Sequence, residues 1–139
     1  MTYAQWVILR IINRLQIKRI SVKNARLDWG KFHQNGNKDE EITPAAVNAV
    51  TVGAGQTTDV SSCGRSDAPS GTEGTLDLYD GDTKICTLYW NCPWGAKYTD
   101  FRIQDGNWDS YTLSAGGPKS NIGWSGALGE IEVEISKKA

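Results

Sequence analysis

Alternation with a period of two is the feature that most narrows the folds open to this 139-residue chain. In Glu130-Ile-Glu-Val-Glu-Ile135 every apolar residue falls on one side and every carboxylate on the other, the pattern of a strand with one wet face. Thr75-Leu-Asp-Leu-Tyr79 does the same. Both are predicted antiparallel, because one solvated face is the habit of antiparallel sheets. An Asp80-Gly-Asp82 turn leads into the β-rich run Lys84-Ile-Cys-Thr-Leu-Tyr-Trp90, so residues 75 to 90 read as a hairpin. Ile20 and Val22 share one parity while Ala25, Leu27 and Trp29 share the other. A bulge near Lys23-Asn24 accounts for the switch. Turn chemistry recurs at Asn35-Gly-Asn37, Gly53 to Gly55, Gly64 to Gly74, Asp105-Gly106 and Gly116-Gly-Pro118, spacing short strands as in a sandwich or barrel. No helical period competes, and no internal repeat divides the chain, so 1–139 is read as one all-β domain.

An apolar fraction of 39% fills a single core. Fifteen Lys and Arg stand against sixteen Asp and Glu, a formal net charge of -1, so no basic field collects nucleic acid. The charge is nonetheless segregated: residues 1 to 31 carry seven Lys or Arg against Asp28 alone. One reading is a basic edge facing phosphates or lipid headgroups. The other places these side chains across from Glu130, Glu132 and Glu134 on a neighbouring strand, at roughly 0.2 to 1 kcal/mol per pair. The second satisfies both charge runs together and is favoured. Trp6-Val-Ile-Leu9 is cut short by Arg10, so no secretory signal is read; the expectation is synthesis in the cytoplasm, with a non-classical route as the way out. Apolar runs are too short to span a bilayer, which confines any membrane role to attachment from outside.

Catalytic constellations are sparse. Cys63, Cys86 and Cys92 form an odd set without a CxxC, indicating buried or free thiols rather than a disulfide framework or a zinc site. If Cys86 and Cys92 share a strand, they lie about 20 Å apart and cannot bridge. The single histidine, His33, sits beside a turn and is expected to be a solvated loop residue. A Cys63/His33/Asp67 nucleophile would require those groups to meet in space, and Asp80 with Asp82 lacks the further oxygens a Ca²⁺ ion needs. No catalytic residue, metal or cofactor is predicted.

Two segments carry less ordinary chemistry. Ser62 to Gly74 is a long small-residue stretch able to fold by its own Asx and Ser/Thr hydrogen bonds. Leu88-Tyr-Trp-Asn-Cys-Pro-Trp-Gly-Ala-Lys97 stops a strand at Pro93 and leaves Trp94 and Lys97 in a turn beyond it. An indole beside a cation suits a zwitterionic headgroup, the Lys donating to phosphate and the aromatic face attracting an ammonium. A core Trp with a solvated Lys fits the same residues. Trp90 shares parity with Cys86 and Leu88 and is assigned to the core.

Together, Tyr3-Ala-Gln-Trp-Val7, Trp29-Gly-Lys31, Asn35-Gly-Asn-Lys-Asp39, Cys63-Gly-Arg-Ser-Asp67, Gly71-Thr-Glu-Gly-Thr75, Tyr89-Trp-Asn-Cys-Pro-Trp-Gly95 and Ser125-Gly-Ala-Leu-Gly129 resemble the aegerolysin family, over nearly the whole chain. The resemblance implies a single-domain antiparallel β-sandwich that is not an enzyme. It implies attachment to membranes containing sphingolipids, either ceramide phosphoethanolamine or sphingomyelin with cholesterol. It also implies action beside a larger membrane-attack-complex/perforin-type protein that makes the pore.

Carried over position by position, the resemblance nominates Trp6, Trp29, Trp94 and Lys97 as aromatic and basic groups around a lipid headgroup. Arg65 is expected to organise or extend the loop site, with an internal salt bridge to Asp67 or loop carbonyls as its alternative use. The chain departs from the family pattern at Asn91, where Asp is common, at Ala96, where Ser is common, and at Ser70, where some members carry Glu. Ser70 is shorter and neutral, so a lipid preference resting on that carboxylate does not transfer. The alternative function is a lectin-like carbohydrate-binding module, since indole faces also stack on sugars.

Overall fold

The computed structural model describes residues 4–65, 70–95 and 97–138. Eleven strands and one helical turn follow in order: β1 (Trp6–Asn13), β2 (Ile20–Trp29), β3 (Lys31–Gln34), β4 (Asn37–Ile42), α1 (Pro44–Val47), β5 (Thr51–Val52), β6 (Thr57–Cys63), β7 (Thr72–Asp80), β8 (Thr83–Cys92), β9 (Asp100–Gln104), β10 (Tyr111–Gly116) and β11 (Gly129–Lys137). They form a six-stranded sheet ordered β10-β11-β1-β6-β3-β4 and a five-stranded sheet ordered β5-β2-β7-β8-β9. The two sheets enclose one core, so of the sandwich and the barrel that the strand spacing left open the fold is the sandwich, as the resemblance implies. Val7, Leu9, Ile11, Ile131, Val133 and Ile135 come from the first sheet, and Leu76, Leu78, Leu88 and Trp90 from the second. Trp90 is wholly buried and meets Phe32 edge-on with ring centroids 6.0 Å apart.

The hairpin is real and longer than read, β7 and β8 pairing from Thr72↔Cys92 to Asp80↔Thr83, with Gly81 at φ +59 in the turn. The parity switch in β2 is a bulge between Lys23 and Arg26, where Asn24 takes φ 55. The Asn24 side chain donates to Asp77 at 2.8 Å, a local bond that makes left-handed backbone tolerable for asparagine. One pairing departs from expectation. β11 is antiparallel to β10 but parallel to β1, because the first and last strands lie side by side in the sheet's interior while running the same way. That pairing brings the basic N-terminal segment to the acidic C-terminal strand. Arg10 bridges Asp59 at 3.0 Å and Glu130 at 2.6 Å, and Arg14 reaches Glu134 at 2.6 Å.

His33 is a correction. It is no solvated loop residue but part of β3, paired with Ser61 and Glu41 and only 3% exposed. The Asn35-Gly36 turn is so tight that β3 and β4 pair right up to it, and the ladder carries His33 inside. Burial depresses its pKa. Among the described residues all three cysteines are free and buried, with Cys86 and Cys92 on the single strand β8, where the strand geometry keeps them apart.

The registers set the polarity of the sandwich. Trp6↔Cys63, Trp29↔Glu73, Thr72↔Cys92, Asn91↔Asp100 and Val7↔Gly129 lie at one end. Asn13, Ile20, Asp80, Thr83 and Lys137 lie at the other. No helix among the described residues is long and apolar enough to cross a membrane.

Candidate functional site

At the first of these ends the chain passes from one sheet to the other through Trp29-Gly30-Lys31. Gly30 has φ +89, and a Cβ placed there would lie 2.5 Å from the Cys63 carbonyl oxygen and 2.9 Å from that of Gly71. Only glycine fits so close a crossing. The geometry explains the Trp-Gly-Lys sequence: Lys31 starts β3 buried, while Trp29 ends β2 with 63% of its surface exposed.

Beneath this crossing a hydrogen-bonded relay ties the sheets together. The Trp90 indole N–H donates to Thr72 Oγ1 at 3.1 Å, and Ser62 Oγ donates to the Lys31 carbonyl at 2.8 Å. Ser62's proton is therefore committed, so the 2.6 Å contact between the two hydroxyls is a donation from Thr72 to Ser62. Each hydroxyl gives one bond and takes one, in a region closed to water. The relay holds β7 and β8 against β6 and β3, forming a firm floor.

Above it opens a cavity of about 520 Å³ whose walls include Trp29, Ser70, Trp94 and Lys97. Four of the six residues nominated from the sequence therefore meet in one place. Trp94 follows Pro93, which cannot continue the ladder, and is 53% exposed; Lys97 is exposed as well. Both stand outside the core, which resolves the open choice for Trp94. Glu73, Asn91 and Tyr98 complete the wall. Glu73 is the residue that sequence reasoning passed over. Its signal lay in the parity of β7, where Thr72, Gly74, Leu76 and Leu78 face inward and Glu73 faces out. It sits opposite Trp29 across the ladder. The Tyr89 hydroxyl donates to its Oε2 at 2.5 Å, and among the described residues Oε1 makes no hydrogen bond. Burial first, and that carboxylate second, push the Tyr89 phenol up to about 12. A carboxylate is thus present in the cavity even though position 70 carries serine.

Two nominated residues stand apart from the cavity. Trp6 lies on the outer side of β1, with the Lys38 ammonium 4.7 Å from its ring centroid. Arg65 forks onto Glu41, with Nη1 and Nη2 donating at 2.9 and 3.1 Å, a partner the sequence did not suggest; Asp67, its expected partner, lies outside the described residues. The pair holds the Glu41 carboxyl below its ordinary pKa. Cys63 is fully buried with its thiol pushed up by that burial, the reverse of what a nucleophile requires. Asp80 accepts from the Tyr111 hydroxyl at 2.9 Å, a structural use for a carboxylate weighed as a cation ligand.

A profile of the aegerolysin family matches residues 4–138. The chain is an aegerolysin. Asp-hemolysin of Aspergillus fumigatus is 44% identical over 136 residues, 98% of this chain and 95% of that protein. Ostreolysin A6 of Pleurotus ostreatus is 38% identical over 141 residues, 99% of each. Among solved structures, IP-1A from Alcaligenes faecalis superposes with a TM-score of 0.87 at 36% identity, covering 99% of this chain and 94% of that one. This aegerolysin therefore shares the sandwich of its relatives along its full matched length, with Ser70 and Asn91 in the wall of the cavity at the Trp29 end.

Proposed function

We propose that this aegerolysin is a peripheral membrane-binding protein, without enzymatic activity, that takes a zwitterionic sphingolipid headgroup into the cavity at the Trp29 end. The observation that carries the reading is the joint placement of two exposed indoles, one lysine and one oriented carboxylate around a single opening. Lys97 donates to the phosphate as a point charge. Trp29 and Trp94 turn π-faces towards the ammonium, an attraction of about 0.5 to 2 kcal/mol. Glu73 accepts from the ammonium's N–H groups, and this favours ethanolamine over choline, whose nitrogen carries no proton. The target membranes are those containing ceramide phosphoethanolamine, or sphingomyelin with cholesterol, and the protein serves as the membrane-binding component beside a perforin-type partner. The division of labour has a physical basis. The longest strictly alternating segment, β11, is hydrogen-bonded on both edges and faces outward with Glu130, Glu132 and Glu134, whereas the lipid-facing side of a membrane barrel must be apolar.

The test is co-sedimentation with vesicles differing only in headgroup, with and without sterol, alongside a glycan array. Trp94→Ala and Lys97→Ala should each weaken vesicle binding while leaving thermal unfolding nearly unchanged, Lys97→Ala for choline and ethanolamine lipids alike. Normal vesicle binding by both variants would remove the cavity from the reading. Glycan binding without vesicle binding would establish the lectin alternative instead.

A further inference from the structure

Five of the seven large hydrophobic side chains exposed among the described residues, Trp29, Trp94, Tyr98, Ile122 and Trp124, lie at the cavity end of the sandwich. Trp29 and Trp94 belong to the cavity. Tyr98, Ile122 and Trp124 are 73%, 36% and 69% exposed, and the headgroup reading gives Ile122 and Trp124 nothing to do. Solvent exposure of such a group on a folded surface marks a place where something apolar docks.

The loop that displays them is built for it. Thr99, 4% exposed, acts as its hub: its N–H donates to the Trp124 carbonyl at 2.9 Å and its own carbonyl accepts from Gly123 at 3.0 Å. Its hydroxyl donates to the Asn121 carbonyl at 2.5 Å. Asn121 Nδ2 in turn donates to the carbonyls of Ser125 and Ala127 at 3.0 and 2.8 Å, and Leu128 roots the loop in the core. The Gly123 N–H and the carbonyls of Asn121, Trp124, Ser125 and Ala127 are thus paired within the loop's own frame, while the Ile122 and Trp124 side chains are exposed. This arrangement lets a loop enter a water-poor boundary, since unpaired amides there are costly. From Ser120 to Gly129 the sequence holds no ionisable residue. Tyr98 joins the two regions, lining the cavity and bridging to Ser125.

We propose that Tyr98, Ile122 and Trp124 form a second membrane contact, an anchor that inserts into the headgroup and acyl boundary beside the cavity and holds the protein irrespective of headgroup. Indole and phenol rings favour that depth, where one end of the ring is apolar and the other wet. The frame hydrogen-bonded through Thr99 means that little order must be gained on binding, which favours affinity. The occupant is the bilayer interface rather than a second protein because the patch is continuous with the cavity that holds the headgroup. The inference rests on the membrane reading above and divides its labour: the cavity selects, the anchor retains.

The experiment places an environment-sensitive dye on Trp124→Cys; the native thiols, all buried, leave the new one as the accessible target. On phosphatidylcholine vesicles containing either ceramide phosphoethanolamine or sphingomyelin, the dye should shift to the blue and be quenched by shallow brominated lipid. Trp124→Ala and Ile122→Ser, checked by circular dichroism for an intact fold, should weaken binding to both vesicle types by a similar factor, on the order of tenfold for the Trp, chiefly through faster dissociation. Glu73→Gln should instead alter the preference between them. A dye that stays in water while the protein is vesicle-bound, or wild-type affinity in both anchor variants, would overturn the anchor and leave the headgroup reading standing. A blue shift without vesicles, accompanied by a dimer in sedimentation that Trp124→Ala dissolves, would overturn it in favour of a second copy of the chain. No binding of the wild-type protein to any vesicle would overturn the membrane reading and the anchor together.

Discussion

Replacing Thr72 by valine keeps the shape of the side chain and removes one hydroxyl, and its cost follows from the relay. Thr72, Ser62 and Trp90 are at most 2% exposed, so no water takes over a broken bond. In Thr72→Val the Trp90 indole N–H, now 3.1 Å from a methyl position instead of an oxygen, is stranded at about 1 to 3 kcal/mol. Ser62 keeps its donation to Lys31 but loses what it accepts, about a further 1 kcal/mol. The expected loss is therefore about 2 to 4 kcal/mol. With a urea slope of about 1.5 kcal/mol/M, the midpoint should fall by about 1.3 to 2.7 M. Ser62→Ala should cost a similar amount by stranding the Thr72 hydroxyl and removing the side-chain bond to the Lys31 carbonyl. Because the two single variants both break the bond between the hydroxyls, the double variant should cost less than their sum by about 0.5 to 1.5 kcal/mol. Equilibrium unfolding followed by tryptophan fluorescence reads all three. A Thr72→Val midpoint within experimental error of wild type, or strict additivity, would refute the relay.

Two further outcomes follow from buried titratable groups. The thiols should be inert to an aromatic disulfide reagent at pH 8, since burial pushes Cys86 up to about 12 and Cys92 up to about 11 and raises Cys63 as well; all three should react once the chain is unfolded in urea, and a rapid native-state reaction would contradict the packing around them. Tyr89 and Tyr111 are each raised to about 12, burial leading and the bonds to Glu73 and Asp80 following. A pKa above the unfolded value of about 10 means that both phenols stabilise the fold fully below pH 10 and lose that contribution as pH climbs through 12. Alkaline denaturation curves should therefore show stability falling in that window, and ultraviolet titration should show two tyrosines ionising late; loss of stability well below pH 10 would place the cause elsewhere.

Much of this molecule is written in local patterns. The alternation in Thr75–Tyr79 and Glu130–Ile135, the Asp80-Gly-Asp82 turn and the parity switch before Ala25 are properties of a strand's two faces, and they need no knowledge of neighbours. The core position of Trp90 follows from the same parity. β1 escaped this reading because Ile8 and Ile12, on its outer side, are as apolar as Val7 and Leu9 on its inner side, so a central strand shows no contrast along the sequence. Even the destination of Arg10 and Arg14 was legible as a charge balance, since two opposite runs near the termini reach their lowest energy side by side. Pairing direction is another matter: β1 and β11 are parallel because of how the intervening nine strands wind, and no short segment records that.

The candidate site divides in the same way. The glycine and proline beside Trp29 and Trp94 mark where strands end, but a core Trp fitted the Trp94 segment equally well, and the exposure of both indoles was decided by the fold. That Trp29, Ser70, Trp94 and Lys97 surround one cavity while Trp6 and Arg65 do not was decided by the crossing at Gly30, where the backbone passes against the carbonyls of Cys63 and Gly71. His33 was misread for a related reason, since a turn two residues away says nothing about whether two strands close over the side chain. Glu73 entered the site through its register with Trp29, and Trp124 stands beside the cavity because Thr99 ties its loop there. Periodicity along a chain records which way a side chain faces. Which distant side chains it then meets depends on strand order and register, and these are settled only when both sheets close on a common core.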